Sequence, residues 1–369
     1  MRVAVVTLHT PLNFGSALQA YALCRVLQDL GHDVELVDYH RPTHSGWQMA
    51  KRRLADHSGS SITRAWHLVD RSIEAMIAGR RFRAFLQATT PLSRRRYRSV
   101  HELTAKPPLA DVYLTGSDQV WNSVYNEGVE HAFYLAFAPP SARRVSYAAS
   151  FGLDELPSDE HEATCALLKR YDAVAVREQA GLRILRKLGL GGTRVLDPTL
   201  LLSQEQWTTV ASSHTATDDY VLVYSVEQDR MTAAADIART VADARNAPVY
   251  QVTFGGYRRH IVGVDRTFHF TSPAEFLALF ANAGFVVTSS FHGTAFSLIF
   301  SKQFYSIAPP QYGGRTGDLL SIVGLAPRLV TPDTVVDPAA PAIKYDRVHS
   351  LLDQERARSR NYLTTVLSR

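Results

Sequence analysis

The sequence predicts an α/β protein of two Rossmann-like domains facing a cleft. Short apolar strand-like runs alternate with helix-like segments in both halves of the chain, the pattern of parallel sheets covered by helices. The chain's 369 residues exceed the usual size of one domain. Its unusual polar residues gather where strand-like runs end, the edge at which open parallel sheets bind ligands.

RVAVVTL (2–8) reads as a buried strand from its continuous apolar run. The loop HTPLNFG then leads into a helix from about Ser16 to Leu30, which Gly31 is placed to end. DVELVDY (33–39) alternates as a second strand, completing a β-α-β opening. Residues 45–105 read as a basic helical insert without strand periodicity. Strands return at 111–116, 144–150 and 173–177, and RVLDPTLLL (194–202) reads as an exit strand and connector. A second α/β unit begins at 220–226, followed by a helix over 229–245 and a strand over 248–254. Ser272-Pro273-Ala274-Glu275 is a capping box with proline in the first turn. Its helix leads to a strand over 284–290, a helix over 294–301, a strand over 303–308 and helices over 316–323 and 346–367. The expected organisation is therefore 1–205, 206–345, and a terminal helix over 346–369 packing back on the first domain.

Hydrophobic residues make up 46% of the chain and charged residues 20%, which excludes a low-complexity or fibrous protein. Cys24 and Cys165 offer neither a disulfide framework nor a metal cluster, which fits a reducing cytoplasm. The first apolar run is too short for a signal peptide, and no stretch reaches membrane-span length. Residues 51–100 hold twelve Lys or Arg against three acids, a local +9 within an overall +5. Such a patch attracts phosphates, nucleic acid or an anionic membrane surface, or is simply a solvated helical face. No nucleic-acid motif accompanies it, so peripheral membrane contact is the partner it suggests.

The run TSSFHGTAFSLIF (288–300) passes from a strand into a loop holding His292 and Gly293, then into a helix expected near Thr294. A helix N-terminus there offers N–H groups to an anion, and a histidine beside it can exchange a proton near neutral pH. Asn13, Gly15 and Ser16 follow the first strand, where they serve either a ligand or a helix cap. Ser117, Asp118, Gln119, Trp121 and Asn122 follow the strand at 111, richer in polar groups than a turn requires. Arg177 ends the strand at 173 and reads as an anion contact or as a surface pair with Glu178. There is no GxGxxG, GxxxxGK[ST], HExxH or GxSxG, and no Asp-x-Asp, so a metal-free site for an anionic donor is expected.

NFGSALQAYAL, TGSDQVWN, VREQAGLRIL, VLDPTLLL, SSFHGTAFSLIF and GRTGDLLSIVGL occur in that order. With them the chain resembles the polysaccharide pyruvyl transferase family from residue 1 to about 325. The resemblance implies the B-type glycosyltransferase fold, with acceptor on the first domain and donor on the second. It also implies transfer of a pyruvate ketal from phosphoenolpyruvate to a sugar or lipid-linked glycan, with no cofactor. It makes His292 the acid or phosphate ligand and Asp118 the base or acceptor ligand. Arg177, Ser290, Gly293, Thr294, Lys302 and Arg315 would hold the donor; Asn13, Gly15, Ser16, Ser117, Gln119, Trp121 and Asn122 the acceptor. Family members resemble S-x-R-L-H at the strand end, whereas here Ser290 stands in the arginine's place. Serine cannot replace a bidentate guanidinium, so Arg315 or a basic-segment residue compensates, or the donor differs. Two other functions fit the residues: a nucleotide-sugar glycosyltransferase of the same fold, and a non-catalytic glycan-binding protein.

Overall fold

Phe14 shows how the two halves of the chain are joined. In the computed structural model its ring stacks on Phe276 at 4.4 Å and lies 5.2 Å from Phe82 and 5.8 Å from Tyr224. One continuous apolar core carries side chains from the strands of both halves. The structure describes residues 1–41, 61–213, 219–226, 230–253, 261–308 and 314–368, with side chains from residue 75 onward in the helix Ser61–Thr89.

The first sheet comprises β1 (Arg2–Val6), β2 (Asp33–Tyr39), β3 (Leu92–Tyr97), β4 (Val112–Thr115) and β5 (Arg143–Ser146), in the order β3-β2-β1-β4-β5. A small ribbon, β6 (Ala175–Val176) with β7 (Thr193–Arg194), extends this half. The second sheet is built from β8 (Val221–Tyr224), β9 (Val249–Val252), β10 (Arg266–Phe268), β11 (Phe285–Thr288), β12 (Gln303–Ile307) and β13 (Leu329–Val330). Its order is β10-β9-β8-β11-β12-β13. Every ladder is parallel. The order therefore reverses between β1 and β4 in one sheet and between β8 and β11 in the other. Ligands bind in the crevices that such reversals open at the strands' carboxyl ends. The loops after β1, β4 and β11 carry most of the residues singled out above, and Arg177 directly follows β6.

The segment over 45–105 is not wholly helical. Residues 42–60 lie outside the described residues, but LSRRRY forms β3 and a short helix follows at Val100–Ala105. The three consecutive arginines obscured the strand, because β3 is the sheet's edge and its middle residues face solvent. Charge on an edge strand blocks pairing with another chain. β10 and β13 also escape the sequence reading, being only three and two residues long. The helix after β11 is Phe291–Ile299, three residues earlier than expected, so His292 and Gly293 lie in its first turn.

The last helix, Tyr345–Leu367, returns to the first half of the chain. Arg356 donates to Leu200 O and Arg360 to Leu201 O, at 2.6 and 2.7 Å, and Tyr362 donates to Ser146 O at 3.0 Å. Among the described residues no helix is long and apolar enough to cross a membrane.

Candidate active site

The phenyl ring of Phe14 seats the amino end of the helix Phe14–Asp29 against the second half. Asn13 caps this helix, its Oδ1 accepting from Ser16 N at 3.3 Å. Gly15 lies against His292: a Cβ at position 15 would fall 2.0 Å from His292 Nδ1. No side chain can occupy that space, so glycine is required there for the imidazole to reach across. Gly293 has a comparable role inside the second half, where a Cβ would meet Thr288 Oγ1 at 2.2 Å.

Asp197 is the hub. Its Oδ2 accepts from Arg177 Nη1 and from Ser117 Oγ, both at 2.8 Å, and lies 3.7 Å from His292 Nε2. Oδ1 accepts from the Thr199 amide and hydroxyl at 3.0 and 2.7 Å. Burial alone would push this carboxyl up. His292, Arg177 and Thr199 outweigh burial and hold it well below the usual carboxylate range. For Arg177, burial opposes the charge, but Asp197, Glu178 and Asp118 together stabilise it. The guanidinium lies 4.6 Å over the Phe291 ring. Burial pushes the Glu178 carboxyl up against the pull of Arg177 and Arg315, while Ser150 Oγ donates to it at 2.7 Å.

Asp118 adopts a left-handed backbone, φ 73°, immediately after β4. Such conformations cost energy and concentrate at functional sites. Its Oδ2 accepts from Ser16 Oγ at 2.5 Å and its Oδ1 from Gln119 N at 2.9 Å. Asn122 Nδ2 donates to Gln119 Oε1 at 2.6 Å, while Asn122 Oδ1 caps the helix Ser123–Asn126. A shallow cleft opens beside this network, lined by Arg177, Asp197, Phe291, Arg315, Asp318 and Glu355 among others.

The structure thus brings together Asn13, Gly15, Ser16, Ser117, Asp118, Gln119, Arg177 and His292, drawn from both halves. It separates three others. Trp121 is a core residue, 1% exposed, stacked on Tyr134 and donating to Phe133 O at 3.1 Å. Thr294 is fully buried, its hydroxyl engaged with Ser290 O and Ser306 Oγ. Lys302 sits at the opposite, amino edge of β12, donating to Ala281 O at 2.6 Å, and burial lowers its ammonium pKa. Asp197 escaped assignment in the sequence because it looked like part of a connector. The Asp-Pro step after a short strand was the available signal. Cys24 offers no nucleophile, since burial pushes its thiol up to about 12.

Comparison with known proteins bears on the family directly. The family model for polysaccharide pyruvyl transferases matches residues 13–310. The chain belongs to the polysaccharide pyruvyl transferase family. Asn13, Gly15, Ser16, Ser117, Asp118, Gln119, Arg177, Asp197 and His292 all fall within that span. No curated protein matches the chain in sequence. Among solved structures, a putative UDP-N-acetylglucosamine 2-epimerase from Listeria monocytogenes is similar at 9% identity and TM-score 0.50, over 98% of this chain and 90% of that one. The UDP-GlcNAc 2-epimerase of Methanocaldococcus jannaschii, solved with UDP-GlcNAc and UDP, has 11% identity and TM-score 0.50, covering 100% of this chain and 99% of that one. At such identities the likeness concerns the fold alone: this transferase has the B-type glycosyltransferase architecture of two Rossmann-like domains.

Proposed function

We propose that this transferase moves the carboxyethylidene group of phosphoenolpyruvate onto two hydroxyls of a glycan sugar, releasing phosphate. The observation that carries the reading is a set of unsatisfied donors. Arg177 is 6% exposed, yet its Nε and Nη2 lack a hydrogen-bond partner among the described residues, as does His292 Nε2; Nε and Nε2 meet only the Glu178 and Asp197 carboxylates, at 3.7 Å. Buried polar groups are nearly always paired, so such atoms mark a place where a ligand belongs. They lie beside the amino end of the helix Phe291–Ile299, whose first amides precede the intrahelical bond from Thr294 N to Ser290 O. Phosphoenolpyruvate carries a phosphate and a carboxylate, which a guanidinium and helix-terminal amides bind well. Arg177 supplies a cation over the ring of Phe291, the residue next in chain to the position where the family motif places an arginine, and Arg315 lines the same cleft.

In this reading His292 Nε2 gives a proton to C3 of the enol, converting the methylene to a methyl and leaving C2 electron-poor. One sugar hydroxyl attacks C2 as Asp118 accepts its proton, and a C–O bond forms. The C2–O bond to phosphate then breaks. The second hydroxyl attacks C2, closing the ketal. Of the two hydroxyl protons, one balances the methyl group and the other leaves with phosphate. Ser16, Gln119 and Asn13 orient Asp118 and the acceptor. The acceptor is a cell-surface glycan or its lipid-linked precursor, handled in the cytoplasm.

The test is phosphate release from phosphoenolpyruvate with a panel of galactosides, glucosides and mannosamine derivatives. Release that requires an acceptor and disappears in His292→Ala is expected. Turnover or thermal stabilisation by UDP- or GDP-sugars, with none by phosphoenolpyruvate, would refute the reading.

A further inference from the structure

His9, Asp38 and His40 meet at the carboxyl ends of β1 and β2, outside the network just described. One ligating atom from each lies within 4.8 Å of the others. Asp38 Oδ1 is 2.6 Å from His40 Nε2 and 3.4 Å from His9 Nε2. We propose that these three residues bind a divalent transition-metal ion, of which Zn²⁺ is the representative. The inference does not depend on the pyruvyl-transfer reading.

Two imidazoles and one carboxylate are a donor set suited to zinc and its neighbours. The second observation concerns His9, which is 3% exposed. Its Nδ1 lies 3.1 Å from Thr7 O and its Nε2 faces a carboxylate oxygen, so both nitrogens address acceptors. A neutral imidazole has one N–H. If Thr7 O takes it, the lone pair on Nε2 points at Asp38 Oδ1. Two lone pairs directed at each other repel, and a cation between them removes the conflict.

The surroundings also suit a metal ligand set. Metal-bound histidines commonly donate their other nitrogen to a backbone carbonyl, the place Thr7 O holds 3.1 Å from His9 Nδ1, and ligating carboxylates are hydrogen-bonded on the far oxygen. Arg83 and Arg96 occupy that far oxygen, Asp38 Oδ2, both at 3.3 Å. Their side chains are 36% and 40% exposed, so water screens their charge from the ion. Three protein ligands leave a coordination position open to water or to an anionic oxygen, which the two guanidiniums would favour. The sequence disguises the set, because His9 comes from a different strand end than Asp38 and His40 and the three match no linear metal motif.

Full-length protein dialysed against EDTA would be titrated with Zn²⁺ alone by calorimetry, and with Co²⁺ while recording its visible absorption. One equivalent of Zn²⁺ should bind, with Co²⁺ giving the intense spectrum of a low-coordinate site. His40→Ala should weaken binding by about 100-fold or more, since even outer-shell changes cost ~10–100-fold. The exposed control His131→Ala should bind as the parent does. His9→Ala removes a buried ring and can fail to fold; His40, a third exposed, keeps the test decisive. If the parent binds Zn²⁺ no better than His40→Ala, or Co²⁺ spectra of the two coincide, the proposal fails.

Discussion

Gly15→Ala sets local propensity against the geometry of the cleft. Alanine favours a helix over glycine by ~0.5–1 kcal/mol, so a reading confined to the helix Phe14–Asp29 expects a more stable protein. The structure expects damage. The new Cβ would lie 2.0 Å from His292 Nδ1, whereas ordinary contact begins at 3.4 Å, so the ring must retreat by 3.4 − 2.0 = 1.4 Å. Displacing a reacting group by about 1 Å can cost ~100-fold in rate, equivalent to about 2.7 kcal/mol of transition-state stabilisation. Acceptor-dependent phosphate release from phosphoenolpyruvate should therefore fall about 100-fold, with the circular dichroism spectrum retained. Thermal denaturation reports the clash without reference to substrate: Tm should hold or fall. Gly79→Ala, in the helix Ser61–Thr89 with nothing within 4 Å of the added carbon, is the control and should gain stability and keep activity. Parent-like turnover in Gly15→Ala with a raised Tm would refute the placement of His292.

Three further outcomes follow from the same geometry. Asp197→Asn leaves the Arg177 guanidinium buried without its main counter-charge and should destabilise the protein by roughly 3 kcal/mol in denaturant unfolding. Because the folded-state pKa of Asp197 lies below its unfolded value, its contribution is present above about pH 4 and lost as pH falls further; the variant should lack that part of the acid limb. Arg177→Lys retains a charge but forfeits the planar fork, so phosphoenolpyruvate binding by calorimetry should weaken about 10–100-fold, and unchanged affinity would remove Arg177 from the donor site. Arg94, Arg95 and Arg98 lie exposed on or beside the edge strand β3. Sedimentation with anionic vesicles should exceed that with neutral ones and drop in their triple alanine variant, and equal sedimentation would exclude a membrane role for this face.

Much of the fold was legible because each strand carries its own signal. VAVV, VLVY and FVVT are continuous apolar runs buried on both faces, as parallel strands between helices must be. β3 was not legible, since an edge strand needs only one partner and tolerates three arginines. The candidate site was legible in part. Polar residues at strand ends stand out in sequence, and His292, Asp118 and Arg177 did so. Trp121 and Thr294 stood out equally but face the core, a distinction that depends on which way each side chain points. Asp197 did not stand out, because its importance comes from what converges on it.

The sequence by itself determined most of the elements, the two α/β halves and the family, since periodicity and ordered motifs are properties of neighbouring residues. Tertiary structure alone decided that Gly15 makes room for His292, that Asp197 joins Arg177 to Ser117, and that His9, Asp38 and His40 share one point in space. Asp38 and His40 apart, those relations link residues from 20 to 277 positions apart in sequence, from Arg177 and Asp197 to Gly15 and His292. Chain connectivity does not encode such proximities; the reversal of strand order in each sheet and the aromatic seam around Phe14 create them.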